Sequence, residues 1–304
     1  MKIAITPRSL SSAGHPALSA LTDRGYELVY PAPGRTPSEA ELLASVPGCV
    51  GWLAGVEPVG KSVLEAARDL KVISRNGVGV DNIDLGVADA RGIRIERAVG
   101  ANARGVAELA ITLMMSAFRH VSWSDARLHN GEWARRRGVE AEGRTLGVIG
   151  CGAIGRTVTE IALGLGMHVI GNDPNPPQGF APKGFRLGNL EELFAESDVV
   201  TLHCPPSEAP LIDAAALARM RPGGVIVNTA RADLIDDIAV LDALEADHLA
   251  VLATDVFHTE PPEPSALLSH DRVILTPHAG GFTEESVRRA TEVAVANILK
   301  VLAP

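Results

Sequence analysis

The chain alternates short apolar runs with stretches whose apolar residues recur at helical spacing. "KIAITP", "YELVY", "CVGWLAG" and "KVISRNG" are β-like runs. Between them "ALSALTDRG", "SEAELLASVPG" and "GKSVLEAARDL" read as helices, the second with Ser38 placed to cap it. No hairpin signal separates the runs. This βαβαβα pattern predicts a parallel sheet covered on both faces. The segment "ANARGVAELAITLMMSAFRH" differs. Val106, Leu109, Ala110, Leu113 and Ala117 form one apolar stripe, and Ile111, Met114, Met115 and Phe118 carry apolar surface round the other side. Such a helix is buried on more than one face. It belongs either to one domain's core or to a junction between domains or subunits.

The strongest local pattern is "RTLGVIGCGAIGRTVTEIALGLGMHVIGNDP". A β run, Thr145 to Ile149, leads into Gly150, Gly152 and Gly155 in the spacing GxGxxG. A helical stretch and a second β run ending at Asp173 follow. Gly150 permits a tight turn, Gly152 lets the backbone approach a pyrophosphate, and Gly155 lets the helix pack closely on the strand. The helix N-terminus then offers amides and a positive dipole end to phosphates. Strand, glycines, helix, strand and acid stand in the order that dinucleotide binding requires. A carboxylate at Asp173 can accept hydrogen bonds from ribose hydroxyls and would repel a 2′-phosphate. "PNPPQG" after it brings no cation to offset that, which favours NAD(H) over NADP(H).

Four more β runs follow: "DVVTLHCP", "GGVIVNTAR" ending at Arg231, "VLATDVF" followed by "HTEPPEP", and "RVILTPH". Open parallel sheets bind ligands at the C-terminal strand ends. Arg231, Asp255, Glu260 and His278 should therefore converge there. A hydride leaving a secondary alcohol needs a base for the hydroxyl proton and a cation for the carboxylate and carbonyl oxygens. Histidine suits the first role and Glu260 can orient its ring; arginine's planar fork suits the second.

Composition narrows the partners. A chain of 304 residues is long enough for two domains. Its 46% hydrophobic and 21% charged content is that of a globular protein, and its net charge of −9 gives no reason to expect a nucleic-acid or anionic-membrane partner. The N-terminus lacks the longer apolar core of a signal peptide, and no run approaches the ~18 apolar residues of a membrane helix. Three scattered cysteines, Cys49, Cys151 and Cys204, argue against a disulfide framework or a metal site and fit a reducing cytoplasm.

Together "RNGVGVDNIDL", "NARGVAELAITLMM", "GVIGCGAIGR", "NDP", "RPGGVIVNTAR", "ATDVFHTEPP" and "LTPHAGGFTEES" resemble the D-isomer-specific 2-hydroxyacid dehydrogenase family, and its phosphoglycerate dehydrogenase branch most closely. The resemblance implies an α/β fold of two Rossmann-like or flavodoxin-like parallel-sheet domains with a cleft between them. A discontinuous substrate domain, 1–98 plus 282–304, would flank an NAD domain at 99–281. Two long helices would join them, one from Ala101 to His120 and one after Phe282. It also implies a homodimer, NAD as cofactor, and a small anionic 2-hydroxy or 2-oxo acid as substrate.

By motif, Arg231 looks like the substrate-binding, carbonyl-polarising arginine, His278 like the general acid/base and Glu260 like its paired carboxylate. Asp255 resembles the acid at the nicotinamide end. Ala153 and Ile154, with Gly152, resemble phosphate-turn contacts. Thr229, Ala230, Cys204, Ala279 and Gly280 fall in other cofactor-lining segments. Asn76, Val78 and Gly79 match the loop whose amides hold the substrate carboxylate, with glycines suited to an anion nest. Arg75, or the triplet Arg135, Arg136 and Arg137, could meet a second anionic group, although a solvated basic patch is the preferred reading of the triplet.

Where the family commonly has Gly after the catalytic arginine, this chain has Ala232. The end of the chain soon after the last helix suggests no regulatory domain. Two rival classes share the fold. One is that of formate and phosphite dehydrogenases, of which the formate subgroup replaces the glutamate with glutamine; Glu260 argues against it. An NAD(H)-sensing binding protein can retain the triad, which therefore does not exclude it.

Overall fold

The apolar runs assemble into two parallel sheets. The computed structural model describes residues 1–303, and the chain divides into two units: Met1–Asn102 together with the chain from Gly281 on, and Ala103–Gly280.

In the first unit the strands are β1 (Lys2–Ile5), β2 (Glu27–Val29), β3 (Cys49–Ala54), β4 (Val72–Arg75) and β5 (Arg94–Arg97). They pair in the order β2-β1-β3-β4-β5, every neighbour parallel. Every residue of the central strand β3 is buried, so both faces of the sheet are covered. Trp52, Leu64 and Ile73 pack on one side. Ile3, Ile5 and Leu53 pack on the other against Ala294, Val295 and Ile298 of the helix Glu284–Leu302. Each large side chain buried here contributes roughly 1.5–3 kcal/mol. Gly51 has a packing reason: a Cβ there would lie 3.3 Å from Ile298 and from Leu302. The helix Glu39–Ser45 starts with a full capping box, in which the Ser38 side chain accepts from the Glu41 amide and the Glu41 carboxylate accepts from the Ser38 amide.

The second unit contains β6 (Thr145–Ile149), β7 (His168–Asn172), β8 (Phe185–Leu187), β9 (Val199–Leu202), β10 (Gly224–Asn228), β11 (Leu249–Thr254) and β12 (Val273–Leu275). Their order is β12-β11-β10-β9-β6-β7-β8. The chain leaves β6 toward β7 on one side and returns to β9 on the other, so a topological switch point lies at the C-terminal end of β6. The helix Ala103–Arg119 buries Ala107, Ala110, Leu113, Met114, Ala117 and Phe118 in a core with Val158 and Ala162 of the helix Ala153–Gly164 and Val225, Val227 and Val251 of the sheet. That two-sided packing accounts for its two apolar faces.

Three sequence expectations change. The strand expected to end at Arg231 ends at Asn228. The edge strands β5 and β8 were not foreseen, because "RIER" is mostly charged and "FRL" is only three residues long with a central arginine. The helices Arg8–Ala13, Leu85–Ala90 and Val121–His129 were also missed. Val121–His129 buries no residue and so has no apolar stripe to read. Among the described residues no helix is long and apolar enough to cross a membrane.

Candidate active site

The turn after β6 is built from close approaches. Gly150 has φ 94°, and a Cβ on it would lie 2.6 Å from the His203 backbone at the end of β9. Gly155 sits so tightly under the turn that a Cβ would lie 1.9 Å from the Gly150 carbonyl oxygen. Gly152 differs. Its φ is −69°, and a Cβ would meet nothing within 4 Å. No protein group requires glycine there, yet a side chain would cover the bare backbone in front of the helix Ala153–Gly164. Gly152 caps that helix without a side-chain hydrogen bond, leaving the first-turn amides at Ala153, Ile154 and Gly155 for an anion. The turn therefore fits a dinucleotide's diphosphate.

Asp173 follows β7. Its Oδ2 accepts from the Cys151 amide at 2.7 Å and its Oδ1 from the Asn175 amide at 2.8 Å. The carboxylate is thus fixed beside the glycine turn, with lone pairs remaining for hydroxyl donors. Burial pushes the Cys204 thiol up, and burial followed by Asp173 pushes Cys151 up to about 11. Both stay protonated near neutrality, so Cys204 serves by packing and not as a nucleophile. Burial drives the His203 ring down to about 3. It is a neutral packing histidine, one ring nitrogen 2.9 Å from the Thr201 hydroxyl.

At the end of β10 the buried Asn228 shapes the bend that follows. Its Oδ1 accepts from the Ala230 amide at 3.0 Å and its Nδ2 donates to the Arg231 carbonyl at 2.8 Å. Thr229 and Ala230 lie in this bend, and Arg231 donates from Nη1 to the Ala230 carbonyl at 2.7 Å. Ala232 then begins the short 3-10 turn Ala232–Leu234 and does not take the left-handed conformation. The alanine in place of the family's glycine is therefore accommodated without strain. Sequence reasoning missed Asn228; its only signal was a polar residue closing an apolar run.

Asp255, at the end of β11, is buried and accepts three hydrogen bonds: from the Thr276 hydroxyl at 2.6 Å, the Ala279 amide at 2.8 Å and the Gly280 amide at 2.9 Å. It thereby fixes the loop after β12 that carries His278. His278 has φ 50°, a left-handed conformation uncommon for a residue with a side chain. Its Nδ1 lies 2.8 Å from both Glu260 oxygens. This pairing assigns the Nδ1 proton to the carboxylate side and leaves Nε2 available to a bound molecule. The ring is 49% and the glutamate 40% exposed, so a small molecule can reach the pair.

In the first unit the Asn76 amide donates to the Ala54 carbonyl at 2.9 Å. The amides of Gly77, Val78 and Gly79 donate to no group among the described residues. Arg75 is turned onto its own loop, donating from Nε to the Gly79 carbonyl at 2.8 Å and from Nη1 to the Ala54 carbonyl at 3.3 Å. Behind it the buried Glu57 accepts from the Thr6 hydroxyl and the Gly55 amide, and burial raises its carboxyl above the ordinary range. Of the arginine triplet, Arg136 lies 4.1 Å over the Trp123 ring and 3.7 Å from Asp271. It is packed against Trp123, unlike a member of the solvated basic patch that is the preferred reading of the triplet.

A doubly wound sheet with a phosphate-type turn at its switch point, and an Arg and a His–Glu pair on the strand ends beside it, define a nucleotide-binding α/β unit. Residues 111–280 match the model of the D-isomer specific 2-hydroxyacid dehydrogenase, NAD binding domain, and the chain belongs to that family. Its second unit is an NAD-binding domain. The chain is 43% identical over 250 residues to a D-3-phosphoglycerate dehydrogenase of Methanocaldococcus jannaschii, covering 80% of this chain and 48% of the relative. A hydroxypyruvate reductase of Thermotoga maritima is 39% identical over 251 residues, 80% of this chain and 81% of the relative. Among solved structures, the TT0316 protein of Thermus thermophilus superposes with a TM-score of 0.89 at 34% identity, covering 99% of this chain and 97% of that one. The chain spans about half the length of the phosphoglycerate dehydrogenases it matches.

Proposed function

We propose that this chain is an NAD-dependent 2-hydroxyacid dehydrogenase that reduces small anionic 2-oxoacids. The observation that carries the reading is the His278–Glu260 pair, 2.8 Å apart, on strand ends that also carry Arg231. Bound NADH supplies the hydride. His278 delivers a proton from Nε2 to the carbonyl oxygen as charge develops there, and Glu260 holds the ring in that tautomer and stabilises its charged form. Arg231 grips the carboxylate and polarises the carbonyl. Asp255 does not exchange a proton; it fixes the Ala279–Gly280 backbone. In the first unit the loop at Asn76, Val78 and Gly79 is assigned to carboxylate binding through its amides.

Substrate size follows from what the arginines do. Arg75 and Arg136 both make hydrogen bonds or ring contacts with their own surroundings, which favours a substrate without a second anionic group over one that carries a phosphate. Glyoxylate and hydroxypyruvate are the favoured substrates. A panel of 2-oxoacids with NADH and NADPH, followed by absorbance, tests this. Turnover of these acids with NADH is expected. Tight NADH binding with no turnover on any member would instead make the chain an NAD(H)-sensing protein.

Asp173 should set the cofactor preference. Asp173→Ala removes a charged acceptor for ribose hydroxyls and the repulsion of a 2′-phosphate. A charge-assisted hydrogen bond contributes about 1.5–3 kcal/mol, so the kcat/KM preference for NADH over NADPH should fall roughly 10- to 100-fold. An unchanged ratio would remove Asp173 from this role.

We also assign the protein to a reducing cytoplasm and to a homodimer. The three cysteines are unpaired, which fits the first. For the second, one short segment leaves Val121 56%, Leu128 54% and Trp133 84% exposed, an apolar surface that a second copy can cover. Light scattering should give twice the chain mass, and Trp133→Glu should shift it toward one chain. A monomeric parent protein would contradict the assignment.

A further inference from the structure

We propose that His258 and Asp233 form a clamp that positions Arg231 and Glu260 relative to each other. The inference rests on the catalytic reading above and adds residues that this reading does not use.

Arg231 and Glu260 come from different segments. Arg231 precedes the 3-10 turn Ala232–Leu234, and Glu260 lies in the loop that leaves β11. Each needs its place fixed within a fraction of an ångström for a bound acid to be gripped and protonated together. On the Arg231 side, Asn228 pins the backbone from the strand. On the Glu260 side, the Phe257 amide donates to Glu260 Oε1 at 3.3 Å, a bond within the same loop that does not anchor the loop to anything else.

The tie between the two segments is His258. Its Nδ1 lies 2.9 Å from Asp233 Oδ1, two residues after Arg231, and its Nε2 lies 3.6 Å from Asp237 Oδ2 in the first turn of the helix Asp237–Glu245. Burial raises the Asp237 carboxyl and a charged His258 opposes that rise. Packing does not hold the loop by itself. A cavity of about 220 Å³, lined in part by Phe257, His258, Thr259, Ala232 and Asp237, opens beside it. Without the clamp the loop has room to shift into that space, carrying Glu260 with it.

His258 and Asp233 touch neither the proton-transfer pair nor the guanidinium, so both are positioning residues. The test compares His258→Ala, Asp233→Ala, the double variant and His258→Asn, whose amide can donate from near the Nδ1 position. Glyoxylate and hydroxypyruvate are the substrates. NADH binding and the thermal midpoint are read alongside, and so is the His278 ring proton NMR signal of the ligand-free protein. Each alanine variant should lower kcat/KM about tenfold, with NADH binding and midpoint unchanged. The double variant should be no worse than either single one, and His258→Asn should recover part of the loss. The His278 signal should move in both alanine variants. That signal is independent of turnover, so it judges the clamp even if the functional reading fails on the wild-type protein. Wild-type kinetics in His258→Ala, additive losses in the double variant, a parallel fall in midpoint and NADH binding, or an unmoved His278 signal would each overturn the clamp.

Discussion

Replacing His278 with Asn should lower kcat for 2-oxoacid reduction by about 10²- to 10⁴-fold, the range that a positioned general acid contributes. Asparagine keeps a polar side chain but has no proton to release at that position. The diphosphate turn at Gly150–Gly155 and the Asp173 carboxylate are untouched, so NADH binding should remain. KM should change little, because Arg231 and the backbone amides bind the carboxylate. Glu260→Gln should lower kcat by less: glutamine can still accept the Nδ1 hydrogen bond, but it no longer stabilises the charged ring. The measurement is steady-state kinetics with a saturating 2-oxoacid, alongside a fluorescence titration with NADH. A variant that loses NADH binding in step with kcat would mean that His278 serves the fold of its loop. Its φ of 50° makes that control necessary.

The second large effect is expected at Gly155→Ala. The added methyl would start 1.9 Å from the Gly150 carbonyl oxygen, far inside contact distance, and the neighbour is backbone that cannot rotate away. The helix Ala153–Gly164 must then shift off β6. Overpacking of this kind costs about 1–3 kcal/mol and more where backbone must move. At about 2–4 °C per kcal/mol for a domain of this size, the thermal midpoint should fall by several degrees. NADH affinity should fall with it, because the shift moves the amides that meet the diphosphate. Gly152→Ala is the informative contrast. A Cβ there touches no protein atom, so stability should be unchanged while NADH binding weakens. Equal loss of stability in both variants would mean that the open space at Gly152 has no relation to a cofactor.

Much of the scaffold was readable because burial writes itself into the sequence. β6 and the strands that line the switch point are fully or nearly buried, so they appear as continuous apolar runs. The edge strands β5 and β8 are not, and they escaped. The glycine turn was legible because its spacing is dictated by close approach, which the distances at Gly150 and Gly155 express. The His278–Glu260 contact could be anticipated only as two polar residues on neighbouring strand ends. Its bidentate geometry depends on Asp255 tying down Ala279 and Gly280, a long-range contact with no local signature. The bond from Arg75 to the Gly79 carbonyl that holds the Asn76–Gly79 loop is likewise unmarked in the sequence. His258 gave no signal either, since its partner Asp233 lies 25 residues away.

The central claim is that His278, held by Glu260, supplies the proton when NADH reduces a 2-oxoacid. It is tested most directly by single-turnover oxidation of enzyme-bound NADH with hydroxypyruvate, measured over roughly pH 5 to 9 in the wild-type protein and in His278→Asn. The account predicts a wild-type rate that falls as pH rises, and a slow, nearly pH-independent rate in the variant. A variant that oxidises NADH as fast as the wild type, or that keeps the same pH dependence, would contradict it.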